Sequence, residues 1–303
     1  MLARASGRVC LLGEHCDWAG RGSCLVAPLV AGVEVHVRAM DWGFAVHSEL
    51  GVSRLGADAR CVEGDPNRYI AAVLRELIRR QLIDLPGARI VVRTDLPMGR
   101  GFSSSAALCV AAARGLTGHA GVGLSADEAA DIALSAERDD LGVGCGPMDP
   151  LACAHGRVLH IRWPAASLRV LEGEPMVLAA GFGGAQPSRI ILGALAANLH
   201  RADVAAAIDG WGELAERGAD LLDEPVALGA LLNQAQDLYD AIELPELAAP
   251  RLHKARAAIA DLCTGSKFTG AGGDRSLVAL FSDIGHQAEA GRRLHEMGLT
   301  AVS

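Results

Sequence analysis

The sequence predicts an α+β protein of two domains, on three observations. Short apolar, β-branched segments alternate with helical ones through the first half of the chain. After Gly184 the texture changes to long alanine- and leucine-rich helical stretches. No internal repeat or low-complexity linker separates the two parts, so the halves are expected to pack tightly. The length, 303 residues, suits one large or two ordinary domains. Half of the residues are hydrophobic and only 4% aromatic, which predicts a sizeable core built from small side chains. The texture shifts over 163–185, and the expected division is 1–170 and 171–303.

The elements follow in order. Arg8 to Leu12 is short and apolar and reads as a strand, and Gly13 to Gly22 reads as a polar loop. Cys24 to Leu29 and Val33 to Ala39 read as strands, the second from the alternation of Val33, Val35 and Val37. Asp65-Pro66 opens a helix whose Ile70, Val73, Leu74, Leu77 and Ile78 share one face. Ala88 to Thr94 is a strand, followed by a glycine turn and the alanine-rich helix of "LPMGRGFSSSAALCVAAARGL". Ser125 and Glu128 form a capping box for a helix reaching about Asp140. "LGVGCGPMDP" reads as a glycine-rich loop, and strand-like segments surround His160 and Val177. Helices dominate from about Gln186 to Leu262. The glycine loop "GSKFTGAGGDRS" then leads into a strand over Leu277 to Phe281 and a helix from Ile284 to Met297.

Composition excludes several function classes. The net charge is −8 and no Lys/Arg-rich run stands out, which argues against nucleic acid as a partner. No apolar run reaches the ~18 residues of a membrane span. Eight cysteines form no C-x-x-C pair, so a structural zinc site is not expected and a reduced, cytoplasmic protein is.

Four constellations carry candidate chemistry. In the first, Pro97, Gly99 and Gly101 precede Ser103, Ser104, Ser105 and Ala106 at a helix start. Free amides and the positive end of a helix dipole attract phosphate, glycines allow close approach, and hydroxyls can donate to phosphate or bind magnesium. A plain helix cap is the competing reading. It is not a Walker A loop. In the second, Glu137 near a helix end and Asp149 after a glycine-rich return could share a site, one carboxylate holding a metal and the other accepting a proton. Two unrelated surface acids are the alternative. In the third, Arg8 precedes a strand, and Glu14, His15 and Asp17 crowd the loop beyond it, a hydrogen-bonding set suited to a polyhydroxylated ligand, with a metal site or a polar loop capping the strand as the competing readings. In the fourth, Gly265, Gly270, Gly272 and Gly273 supply more glycine than a tight turn requires.

Together these stretches resemble the GHMP kinase superfamily, which includes galactokinase, homoserine kinase, mevalonate kinase and phosphomevalonate kinase. Pro97 to Ala106 match its phosphate motif P-x-x-x-G-(L/F)-x-S-S-A, and Lys267 to Gly273 match K-x-T-G-A-G-G. Gly7 to Trp18 follow the galactokinase pattern G-R-V-x-L-x-G-E-H-x-D-(Y/W), and Cys145 to Asp149 reproduce C-G-x-M-D. Asp17 and Met148 favour a sugar-type acceptor over an isoprenoid one.

The resemblance implies a GHMP kinase fold, with an N-terminal domain like the second domain of ribosomal S5 and a ferredoxin-like C-terminal domain. It implies ATP and Mg2+ as cofactors and phosphorylation of a sugar hydroxyl, the anomeric one in a galactokinase-like enzyme. Asp149 would be the base, and Arg8 would lie beside it and steady the transferred phosphoryl group. Ser105 and Glu137 would hold magnesium, and Pro97 to Ala106 would cradle the ATP phosphates. Glu14, His15, Asp17 and Gly146, with Asp149, would bind the sugar, and Gly270, Gly272 and Gly273 would form the C-terminal glycine loop. The chain is expected as a monomer or homodimer. It departs from galactokinase at Trp18, Asp274 and Arg275, and a clear counterpart of that family's sugar-contacting tyrosine in the C-terminal half is missing, since the chain has only Tyr69 and Tyr239. An inositol or other polyol, mevalonate, homoserine, or a catalytically silent sugar sensor remain alternatives.

Overall fold

The structure, a computed structural model, describes every residue except 185 and 186. In chain order the elements are β1 (Leu2–Leu12), α1 (Cys16–Ala19), β2 (Ser23–Ala39), β3 (Gly43–Ser48), β4 (Gly51–Leu55), α2 (Arg68–Arg79) and β5 (Gly87–Thr94). Then come α3 (Ser104–His119), α4 (Ala126–Ser135), a π-helical turn over Ala136–Asp140, α5 (Met148–His155), β6 (Val158–Arg162), β7 (Ser167–Leu171) and β8 (Val177–Phe182). The remainder is α6 (Ser188–Ala197), α7 (Ala202–Gly218), α8 (Pro225–Asp240), α9 (Pro250–Ile259), β9 (Gly265–Phe268), β10 (Ser276–Leu280), α10 (Ile284–Glu296) and β11 (Leu299–Val302). The helical run expected from Gln186 starts at a residue outside the described ones.

The chain forms two compact units, each entered more than once. The first comprises Met1–Gly7, Ala31–Leu96 and Ser103–Gly156, and the second Arg8–Val30, Pro97–Phe102 and Arg157–Ser303.

In the first unit the later part of β2 pairs antiparallel with β5, β5 pairs parallel with β3, and β3 forms a hairpin with β4. Val33, Val35 and Val37 are buried while Glu34, His36 and Arg38 alternate outward, as the period-2 pattern predicts. Asp65 accepts the Asn67 amide at 2.7 Å and the Ser53 hydroxyl at 2.6 Å, fixing the entry to α2. Helix α2 buries Ile70, Val73, Leu74 and Leu77. Helix α3 is lined with alanine and packs against α2, α4 and α5. Its Gly115 faces Val35 and Val37, so a bare backbone lets the helix lie close on the strands.

In the second unit the early part of β2 pairs with β6 and β6 with β7, both antiparallel. A separate antiparallel sheet has the order β11-β8-β10-β9. Helix α8 packs on β9 through Gly229 and Gly265, where any Cβ at Gly265 would fall 1.9 Å from the Gly229 carbonyl oxygen. Among the described residues no single helix is long and apolar enough to cross a membrane. All eight cysteines are free thiols.

Candidate active site

In the first unit, residues from α3, the π turn and α5 come together. Ser103 is the N-cap of α3, yet its hydroxyl makes no capping bond and donates instead to Oδ2 of Asp149 at 2.7 Å. Ser103 adopts a left-handed conformation, φ +57°, which a residue with a Cβ rarely takes. Asp149 stands in the first turn of α5. The segment read as loop is thus helical from Met148, because Pro147 is its N-cap and Pro150 lies in the first turn, where no amide is needed. Gly146 lies half-buried in the preceding glycine-rich segment.

Glu137 sits on the π turn and is 2% exposed. Burial pushes its carboxyl up to about 7; a hydrogen bond with Ser105 acts the other way, and the nearby Asp149 charge adds to the rise. The structure therefore brings Ser103, Ser105, Glu137 and Asp149 to one place. Among the described residues no group of three or more His, Cys, Asp or Glu side chains suits a metal. Magnesium needs less from a protein: one or two oxygen ligands with substrate phosphates and water complete its shell. Glu137 and the Ser105 hydroxyl fit that requirement. Ser104 opens α3 half-buried, and Ala106 is buried behind it.

In the second unit the two glycine loops meet. Arg8 is buried, and its Nη1 donates to the Gly101 carbonyl at 3.0 Å. Gly101 has φ +83°, and a Cβ there would lie 2.6 Å from the Ser276 hydroxyl; Gly270 approaches the Gly101 carbonyl. Arg275 donates to the Gly99 carbonyl at 3.2 Å. Asp274 accepts from the Leu252 amide and from Arg251, capping the start of α9. The two departures from the motif thus tie the glycine loop to its surroundings.

The loop after β1 is held equally firmly. Gly13, φ +88°, is required because a Cβ would fall 2.0 Å from the Ser23 carbonyl oxygen. Glu14 is buried and forms an ion pair with the buried Lys267 ammonium, which also donates to the Cys10 carbonyl. Lys267 entered the sequence reading only as a motif position. His15 accepts at Nδ1 from the Trp18 indole at 3.0 Å, which leaves its other nitrogen to carry the proton. Burial, and secondarily Lys267, push the His15 imidazole down to about 3, so it is neutral at physiological pH. Asp17 lies half-buried in the first turn of α1.

Glu14, His15, Trp211, Gln236, Tyr239 and Lys267 line a narrow crevice. Trp211 and Tyr239 were not singled out as site residues. The Tyr239 hydroxyl donates to the Leu247 carbonyl at 3.2 Å and accepts the Gly273 amide at 2.5 Å, fixing the glycine loop. A Cβ at Gly272 would strike the same hydroxyl at 2.6 Å.

Residues 68–157 match the family model for the GHMP kinases N terminal domain. A galactokinase of Halalkalibacterium halodurans is 31% identical over 183 residues, 57% of this chain and 45% of that one. The chain thus spans under half the length of that relative. A mevalonate kinase of Archaeoglobus fulgidus is 26% identical over 295 residues, covering 93% of this chain and 92% of its own. The crystal structure of the Methanococcus jannaschii mevalonate kinase superposes with a TM-score of 0.86 over 99% of this chain and 96% of that one, at 15% identity. This likeness is one of fold: the mixed α/β architecture is that of the GHMP kinases.

Proposed function

We propose that this chain, which belongs to the GHMP kinase superfamily, transfers the γ-phosphoryl group of ATP to a hydroxyl of a sugar, the anomeric one in a galactokinase-like reaction. The observation that carries the reading is the carboxylate of Asp149, held by Ser103 where α3 begins, with Glu137 and Ser105 beside it.

Phosphoryl transfer asks for positioning and charge stabilisation more than for covalent chemistry. In this reading Asp149 takes the proton of the attacking hydroxyl. The backbone of Pro97 to Ala106 and the first amides of α3 cradle the ATP phosphates. Arg8 carries the positive charge that steadies the transferred group. Ser105 and Glu137 would hold Mg2+, which would supply further charge neutralisation at the phosphates. Glu14, His15 and Asp17, with Gly146, take the sugar hydroxyls. His15 offers one N–H donor and Glu14 a carboxylate acceptor, the pairing a hydroxyl needs. Gly270, Gly272 and Gly273 back the phosphate loop. A reduced, cytoplasmic setting suits eight free thiols.

A second reading, mevalonate as acceptor, is favoured by one observation: the A. fulgidus mevalonate kinase aligns along nearly the whole chain. ADP release with MgATP across hexoses, pentoses, uronic acids, amino-sugars, inositols, mevalonate and homoserine separates the two. Asp149→Asn is expected to lower turnover by roughly 10²- to 10⁴-fold while leaving ATP affinity near normal. Turnover at the wild-type level in that variant would refute the mechanism.

A further inference from the structure

We infer that Ser103 is a positioning residue for Asp149 and not a phosphate ligand; this rests on the phosphoryl-transfer reading above. A serine at a helix N-cap ordinarily turns its hydroxyl onto the amide two or three residues ahead. Ser103 does not. Its carbonyl accepts the Ala107 amide at 2.9 Å, as an N-cap carbonyl should, but its hydroxyl makes no capping bond. The hydroxyl is directed to Asp149.

The backbone explains how. At φ +57° and ψ +38° Ser103 is left-handed, a conformation in which glycine would be at ease and serine is not. A strained residue persists where its surroundings over-determine it, and such positions gather at functional sites. The side chain is buried, and Cys153 of α5 approaches the Ser103 carbonyl at 3.9 Å, so α5 packs on both ends of this residue. The strain therefore aims a donor at the carboxylate.

Such a donor has an orienting role at this carboxylate. An aspartate in the first turn of a helix has an attractive alternative, the unpaired amides of its own helix. With Oδ2 engaged by Ser103, the Asp149 carboxylate is held against turning onto them. A base acts through one lone pair, so fixing the carboxylate's orientation matters more than strengthening the base.

The test compares wild type, Ser103→Ala and Ser103→Gly by ADP release with MgATP, using D-galactose and, separately, mevalonate as acceptors, together with thermal melts. The Ala variant keeps the strain and loses the donor. The Gly variant loses both. Both are expected to lose about 10- to 100-fold in kcat with the KM for ATP and for the acceptor within about twofold. The Gly variant is expected to melt at or above the Ala variant, so activity does not follow stability. In an Asp149→Asn background, adding Ser103→Ala is expected to cost no further turnover, since both changes remove the same arrangement. Wild-type kcat in Ser103→Gly, or a loss carried by the KM for ATP, would overturn the assignment. A wild-type protein that turns over neither acceptor would instead overturn the phosphoryl-transfer reading on these acceptors, and Ser103's role with it.

Discussion

Replacing Glu137 by glutamine should make the metal-free protein more stable at pH 8 than the wild type. The Glu137 carboxyl moves from an ordinary 4.5 to about 7 on folding, chiefly because burial disfavours its charge. A difference of about 2.5 between folded and unfolded values corresponds to roughly 3 kcal/mol at 1.36 kcal/mol each. The sign is set by which state holds the proton. The folded state holds it longer, so this contribution is complete below pH 4.5, declines as pH rises from 4.5 to 7, and is gone above. Glutamine cannot ionise and keeps the neutral form's fit at every pH. The stability difference between the variant and wild type should therefore grow with pH and level off above 7. At ~2 °C per kcal/mol for a chain of this size, the melting temperatures should separate by about 6 °C at pH 8. Thermal melts in EDTA from pH 5 to 8 measure this directly. Parallel curves for the two proteins would refute the buried, protonated Glu137. The same substitution should weaken turnover, since a ligand proposed for magnesium is lost.

Two other outcomes follow from the second unit. Lys267→Met leaves the buried Glu14 carboxylate without its cation and should cost about 3–5 kcal/mol in urea denaturation at pH 7. Adding Glu14→Gln should restore most of that loss, and an additive double variant would show that the two groups do not act as a pair. His15 is held near 3 in the folded protein against 6.5 ordinarily, so its contribution is present above pH 6.5 and is lost as pH falls toward 3. His15→Gln should melt with less acid sensitivity between pH 6.5 and 4, and an unchanged slope would contradict the buried neutral imidazole.

Much of the candidate site was legible because its residue types are chosen locally in sequence. The glycines, serines and capping box lie within single turns of chain, where backbone demands select residue types directly. The valine alternation of β2 and the apolar face of α2 were read from period alone. What escaped reading depends on distant partners. Strands β3 and β4 are short, and only pairing with each other and with β5 makes them strands. Helix α5 was hidden by two prolines that are harmless at a helix start. Lys267 and Glu14 are 253 positions apart, and no pattern in either segment announces the other. The role of Ser103 was hidden as well: the residue type suggests a cap or a phosphate ligand, and only the left-handed backbone turns its hydroxyl to Asp149.

The interleaving of the two units has a consequence for synthesis. The stretches that complete the first unit have all been translated by Gly156, whereas Arg8–Val30 belongs to a unit whose remaining parts run from Arg157 onward. A nascent chain can therefore finish one unit on the ribosome while the loop bearing Glu14 and His15 still waits. That loop obtains its counter-ion only when Lys267 emerges and β9 pairs with β10. Until then the carboxylate has no buried cation to meet and should remain in water. A message truncated ahead of Lys267 would yield a protein in which the Glu14 loop never meets its buried counter-ion.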